Sequence, residues 1–353
     1  MAGYMHHHTA FRFPEQRQTP EELRSEVENL GGDFVFCAGD HGRKSKTSCY
    51  FGWYEGRDYY EHALSANTDR GVFLIPTGEY HLDFPDEVIR GGPDAPFWEA
   101  RKKWPAYKPF FHTFIPMLEW TDCICSHVRE KTSPLLLDAA EKKGIAIPLL
   151  HPGLCALSGH PDPADFPWLG RMAYIEMFNE MKHFKYDYLL YKYYLSGELS
   201  RKMGIFSGVD FTDIRYTLSS PENIKAENVT YLNVQGDRTI ENLFKAWNQR
   251  RSVAVRGRLF PEYIEPAPSI NDYAISGAPE INFGVRSFGK GNIRYVEILR
   301  NGRQVFTKFC PGRNSIELKW RDSQFEGKET SYTVIIEADG DWLITSPVNF
   351  IRK

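Results

Sequence analysis

The chain has 353 residues, 42% of them hydrophobic and 25% charged, with a net charge of −3 and no low-complexity tract. Such a composition excludes a disordered or fibrous protein, and the length exceeds one ordinary core. The near-neutral balance carries no polybasic surface, so neither nucleic acid nor an anionic membrane is expected as a partner.

No apolar run reaches the ~20 residues that span a bilayer, and the N-terminus lacks the charged stretch and apolar segment of a signal peptide. The six cysteines, at positions 37, 49, 123, 125, 155 and 310, show no disulfide-scaffold spacing. Cys123-x-Cys125 is too tight for a zinc knuckle. A reducing, cytoplasmic compartment is expected.

The chain opens on a strand-like segment holding His6-His7-His8. The run is shorter than a purification tag and lies inside that segment, so it is read as part of the fold. Strand side chains alternate, which puts His6 and His8 on one side and His7 on the other. Thr19-Pro20-Glu21-Glu22 reads as a helix start, with Thr19 as N-cap, Pro20 in the first turn and Glu22 reaching back. Gly31-Gly32 ends that helix. Asp33–Ala38 and Val72–Pro76 read as buried strands. Ser133-Pro134 starts a second helix that closes at Gly144, and Ile145–Leu150, Ala173–Phe178 and Gly204–Ser207 read as further strands.

Alternating strands and helices over residues 1–257 predict a parallel α/β architecture. Asp40-His41, Glu79, His151, Asn179 and Asp210 each follow an apolar run, the place where active sites form at strand C-termini. Residues 42–58 and 82–108 are long insertions, expected as lids or specificity loops. Residues 258–277 are rich in proline and read as a linker. Beyond them, Asn301-Gly302 and Asp339-Gly340 between alternating runs predict tight hairpins. Residues 278–353 are therefore expected to form a small antiparallel β domain, sandwich-like in build.

A lone H-x-H is a weak signal. With Asp40-His41, Glu79, His112 and His151 also near strand ends, the set supplies imidazole and carboxylate in the mixture that Zn²⁺, Mn²⁺ or Fe²⁺ prefer.

Met5-His6-His7-His8-Thr9, Pro20-Glu21-Glu22-Leu23, Gly39-Asp40-His41, Gly78-Glu79, His151-Pro152, Ile175-Glu176-Met177-Phe178-Asn179 and Ser207-Gly208-Val209-Asp210 occur in that order. This series over residues 1–257 resembles the polymerase and histidinol phosphatase (PHP) superfamily of metal-dependent hydrolases. The C-terminal hairpins resemble its carbaryl-hydrolase-like branch. The resemblance implies an α/β fold, a distorted (β/α)7 barrel of the TIM-like kind followed by a small antiparallel β-sandwich-like domain. It also implies two divalent ions (Zn, Mn or Fe), one held by His6, His8, Glu79 and Asp210, the other by Glu79, His112 and His151. His81 competes with His112 for its place.

Departures from the family pattern fall on a third ion. Thr212 stands where the family has histidine, and between Thr9 and Asp40 there is no histidine, Glu15 being the nearest candidate. Tyr4 stands where relatives often carry aspartate. A two-metal site is therefore expected, with Asp40 and His41 as catalytic residues and His41 either a weak ligand or a general acid and substrate contact. A divalent cation lowers the pKa of its water towards ~7 and two ions ~3.5–4 Å apart stabilise the leaving oxygen, while His41, with an ordinary pKa near ~6.5, is placed to protonate it.

The expected activity is hydrolysis of a small-molecule ester, a phosphoester first. Arg43, Lys44 and Lys46 suit an anionic substrate, although a solvated charged loop explains them equally well. Carbamate or carboxyl ester cleavage at the same site is the alternative. A non-catalytic binding protein that keeps the fold and a carbohydrate-associated protein are the competing classes.

Overall fold

The structure, a computed structural model, describes residues 1–9, 20–39, 61–67, 71–83, 110–119, 133–152, 168–179, 202–209, 228–288 and 291–353. The N-terminal strands are β1 (Ala2–Thr9), β2 (Phe34–Gly39), β3 (Phe73–Asp83), β4 (Phe110–Pro116), β5 (Pro148–Leu149), β6 (Tyr174–Phe178) and β7 (Gly204–Ser207). They are followed by β8 (Asn228–Leu232), β9 (Ser252–Arg256), β10 (Leu259–Glu265), β11 (Ser269–Ile275) and β12 (Glu280–Ser287). The chain closes with β13 (Ile293–Arg300), β14 (Arg303–Arg313), β15 (Ser315–Arg321), β16 (Glu329–Ala338), β17 (Asp341–Thr345) and β18 (Val348–Arg352). Helices α1 (Pro20–Asn29), α2 (Ser133–Lys142) and α3 (Ile240–Asn248) pack beside them.

Local chemistry sets the element ends. Helix α1 stops where Gly31 takes φ +70°, with Gly31 N–H donating to the Glu28 carbonyl and Gly32 N–H to that of Val27, both at 2.9 Å. The same paired closure ends α2, through Gly144 at φ +67° and Ile145 N–H donating to Ala140 O at 2.9 Å. Glycine meets this left-handed turn without a Cβ penalty, and each turn delivers the chain to its next strand. In the hairpins, Asn301-Gly302 and Asp339-Gly340 hold φ values of 48° and 76°, and 48° and 92°. That pairing of positive φ angles matches strand twist in two-residue turns.

β1, β2 and β3 are parallel, and β4 returns antiparallel to β3. β1 also pairs with β8, β8 with β9 and β9 with β17, so one twelve-stranded mixed sheet runs from β4 into the C-terminal strands. A second sheet holds β5, β6 and β7, all parallel. Single bridges join it to the first sheet, His112 to Leu150 and Met5 to Gly208. The free side of β7 is satisfied by hydroxyls rather than by a ladder. Ile205 N–H donates to Ser346 Oγ, and Ser207 N–H to Thr230 Oγ1, both at 2.9 Å. These bonds answer for buried amides that would otherwise be costly.

The third sheet, β10-β12-β15, covers one face of the C-terminal strands through Leu259, Ile281, Phe283 and Val285 against Val255, Val296, Ile298 and Val334. The opposite face presents Ala254, Leu299, Ile335 and Ile344 to Leu149, Ile175, Met177 and Ile205. Burial on both faces explains why β16 is buried from Thr330 to Ala338, with Val334, Ile335 and Ile336 in succession at its centre.

This architecture corrects the expected (β/α)7, TIM-like barrel. Strands hold 53% of the described residues and helices 17%, β4 is antiparallel, and the N-terminal strands are one part of a mixed sheet that continues through β8 and β9. A short apolar run looks the same in a parallel or antiparallel strand, so the sequence pattern carried no direction. Within the expected linker, residues 259–265 and 269–275 form β10 and β11. Among the described residues, no helix is long and apolar enough to cross a membrane.

Trp247 of α3 fills the space beneath the N-terminal strands. Its ring stacks on Tyr174 at 3.8 Å and 8°, and meets Phe36, Phe114 and Phe206 at 5.1–5.9 Å. Trp247 Nε1–H donates to Ala146 O at 3.0 Å, and the Tyr174 hydroxyl donates to Trp247 O at 2.6 Å. Trp247→Ala is expected to cost about 3–5 kcal/mol, the range for truncating a fully buried aromatic, read as a lower midpoint in chemical unfolding.

Burial pushes the Tyr231 phenol up to about 12 and also raises those of Tyr174 and Tyr332, the latter helped by Asp322. Above an unfolded value near ~10 the unfolded chain loses these protons while the folded chain keeps them, so stability is complete below ~10 and falls as pH rises towards 12. Unfolding midpoints measured from pH 9 to 12 are expected to show that loss, with a shallower slope in Tyr231→Phe.

Candidate functional site

The face of the N-terminal strands that carries Phe36, Ile75, Phe114 and Leu150 forms an apolar cluster with Trp247. Residues one or two positions further along these strands sit at its rim. His112 lies two residues before Phe114 on β4, and His151 directly follows Leu150. Their imidazoles meet edge to face, with ring centres 4.7 Å apart. His151 is buried, at 4% exposure, and Leu150 N–H donates to His112 O at 2.9 Å, which ties the two backbones together.

Glu176 of β6 is fully buried and accepts a 2.6 Å bond from His151 N–H through Oε2. Asn179, also buried, ends the same segment. Thr77 of β3 is 3% exposed, and its hydroxyl has no hydrogen-bond partner among the described residues. By strand alternation it shares a face with Phe73 and Ile75.

Of the expected ligands, the structure brings His112 and His151 together. Glu79 lies on β3 opposite Phe114, and His81, the competitor of His112, pairs with His112 in register. His6 and His8 lie on β1, where the pairing with β2 passes from Tyr4–Val35 to His7–Cys37. Two residues, Met5 and His6, thus stand against Phe36, and regular pairing resumes at His7. Asp40, His41 and Asp210 lie outside the described residues, as do Arg43, Lys44 and Lys46. Val209, which precedes Asp210, donates its N–H to Met5 O at 2.9 Å.

The donor set can be tested against a metal. Nitrogen bound at ~2.0–2.1 Å puts an imidazole ring centre about 3 Å from the ion, so two rings sharing one ion have centres about 4.5–5.5 Å apart. The separation of His112 and His151 falls in that interval. A complete site is another matter. Among the described residues, no group of three or more His, Cys, Asp or Glu is placed to hold an ion. This corrects the expectation of a metal-binding cluster for that part of the molecule: of the expected ligands, His112 and His151 are a pair, one donor short of such a group.

Sequence reasoning left Glu176 and Thr77 without roles. A glutamate inside the apolar run Tyr174–Phe178 was the available signal, because a buried carboxylate requires a donor. Thr77 offered no comparable signal, since threonine is common in strands.

No family model matches the chain, and no curated protein matches it. Among solved structures, the chain is similar to a lytic polysaccharide monooxygenase of Jonesia denitrificans at 10% identity and a TM-score of 0.20, over 25% of this chain and 62% of that one. It is similar to the sulfur carrier protein SoxY of Chlorobium limicola at 9% identity and a TM-score of 0.18, over 27% and 79%. The fibronectin(III)-like modules of Clostridium thermocellum CbhA match at 17% identity and 0.17, over 29% and 61%. The match to the first of these spans about three-fifths of that structure's length, and scores this low carry no argument about fold or activity.

Thr77→Val keeps the shape and removes the unpartnered hydroxyl, whose burial costs about 1–3 kcal/mol. The variant is expected to melt at the same temperature as the parent or higher; a clear drop would show that the hydroxyl has a partner.

Proposed function

We propose that the chain is an ester hydrolase, with phosphoesters as its first substrate class, whose reacting centre is built round His112 and His151. The observation that carries this reading is the contact of the two imidazoles at 4.7 Å, one of them buried and tied through its backbone to a buried carboxylate. Carbamates and carboxyl esters are the alternative substrates of the same centre.

In this reading His112 and His151, with Glu79, hold one divalent ion (Zn, Mn or Fe), and His6, His8, Glu79 and Asp210 hold a second, as the motif order implies. When bound, such ions act as Lewis acids on the scissile group and supply hydroxide at neutral pH. The apolar layer of Phe36, Phe114 and Leu150 keeps bulk water from the buried side of the pair. His41, with Asp40 beside it in sequence, is assigned the proton that the leaving oxygen takes. A cytoplasmic location belongs to the same reading, in keeping with six cysteines whose spacing is not that of a disulfide scaffold.

A non-catalytic binding protein is the competing reading, favoured by the lack of a three-ligand group among the described residues. A screen of chromogenic phosphomonoesters, phosphodiesters and carboxyl esters, with and without Mn²⁺ or Zn²⁺, separates the two. Metal-dependent turnover is expected, falling by about 10²–10⁴-fold in His112→Ala and His151→Ala, the range for losing a positioned catalytic group. No turnover in any arm, with less than about 0.5 equivalents of metal bound where a two-ion site requires both, would favour the binding protein.

A further inference from the structure

His151 holds an unusual backbone. Its φ is +27°, in the left-handed half of conformational space that side chains other than glycine rarely enter. Pro152 follows it, and a residue before proline is pushed towards extended conformations. Two independent local preferences therefore oppose the observed geometry, and such a conformation persists only where the surroundings over-determine it.

Two bonds do so. On one side Leu150 N–H donates to His112 O at 2.9 Å. On the other, His151 N–H donates to Glu176 Oε2 at 2.6 Å, shorter than an ordinary amide bond. The acceptor is held in turn: Glu176 is fully buried, and the pairing of β6 with β7 shifts register between Glu176 and Phe178, as at a bulge that re-aims a side chain. If the amide needed only an acceptor, a backbone carbonyl would serve without burying a carboxylate.

We propose that Glu176 is a positioning residue, which clamps the His151 backbone in its left-handed conformation and so sets the imidazole against that of His112. The claim about geometry stands on the metal-free chain; its bearing on hydrolysis rests on the function proposed above. An extended His151 would leave Leu150 in place but carry its own side chain in another direction, separating the pair. Glu176 thereby acts on the site through a main-chain amide.

The experiment compares Glu176→Gln, which keeps an oxygen acceptor, with Glu176→Ala, which removes it, in the full chain labelled at histidine. Without metal, the nuclear Overhauser contact between the rings of His112 and His151 is expected to survive in Glu176→Gln and to disappear in Glu176→Ala. Co²⁺ affinity read from the visible spectrum is expected to fall about 10–100-fold in Glu176→Ala, the usual effect of losing a ligand-orienting partner, and to be largely rescued in Glu176→Gln. If Glu176→Ala does not fold, Glu176→Asp, with its carboxylate drawn back by one methylene, takes its place. An unchanged ring contact in a folded Glu176→Ala or Glu176→Asp overturns the proposal, whatever happens to stability. Loss of that contact in a chain whose parent neither binds Co²⁺ nor hydrolyses any ester upholds the clamp and removes the hydrolase.

Discussion

The stack of Trp247 on Tyr174 is the constraint on which the rest of the N-terminal architecture depends. One tryptophan ties α3 to two other pieces of chain. Its face lies on a β6 ring, its Nε1–H reaches the carbonyl of Ala146 ahead of β5, and its own carbonyl takes the Tyr174 hydroxyl. The same ring is the common neighbour of Phe36, Phe114 and Phe206, which come from β2, β4 and β7. Two sheets that touch each other through single bridges are thus held by shared aromatic packing, and the rim that carries His112 and His151 inherits its spacing from it. Large rings supply both area and a preferred geometry, which is why they can set distances as well as contribute stability.

The second constraint is polar. Glu176, Ser207, Thr230, Ser252 and Ser346 are buried, and the hydroxyls among them fasten β7 to β8, β9 and β17 where a regular ladder is missing. Ser252 Oγ and Ser346 Oγ lie 2.6 Å apart, and Ser207 Oγ donates to Val255 O at 2.9 Å. Satisfied networks of this kind specify one arrangement of sheets, because any slip strands a buried donor.

Much of the fold was legible where a single residue has one physical solution. Gly31 and Gly144 mark helix ends that require a positive φ, and Asn301-Gly302 and Asp339-Gly340 mark hairpins for the same reason. Strand direction was not legible, since Phe110–Pro116 is an apolar run after a long insertion and nothing in it says that it returns antiparallel. Nor was the strand character of residues 259–275. Pro261 there suggests a linker, yet β10 is an edge strand of its sheet, where a missing N–H is tolerated. In the site, His151 was legible as a histidine closing an apolar run. The bulge at Met5 and His6 was not, because alternation alone cannot show where a strand gains a residue, and the role of Glu176 was hidden because its partner is a main-chain amide.

The sheet that passes from β8 through β9 into β17 has a mechanical consequence. Trp342 to Thr345 pair with Arg256 to Val253 along the whole shared length, so the strands before and after residue 257 form one plate rather than two bodies joined by a tether. Hinge closure, the usual way in which a two-part protein sequesters a ligand, has no axis across that plate. Rigidity at the base is the condition under which a strained residue such as His151 can hold its place.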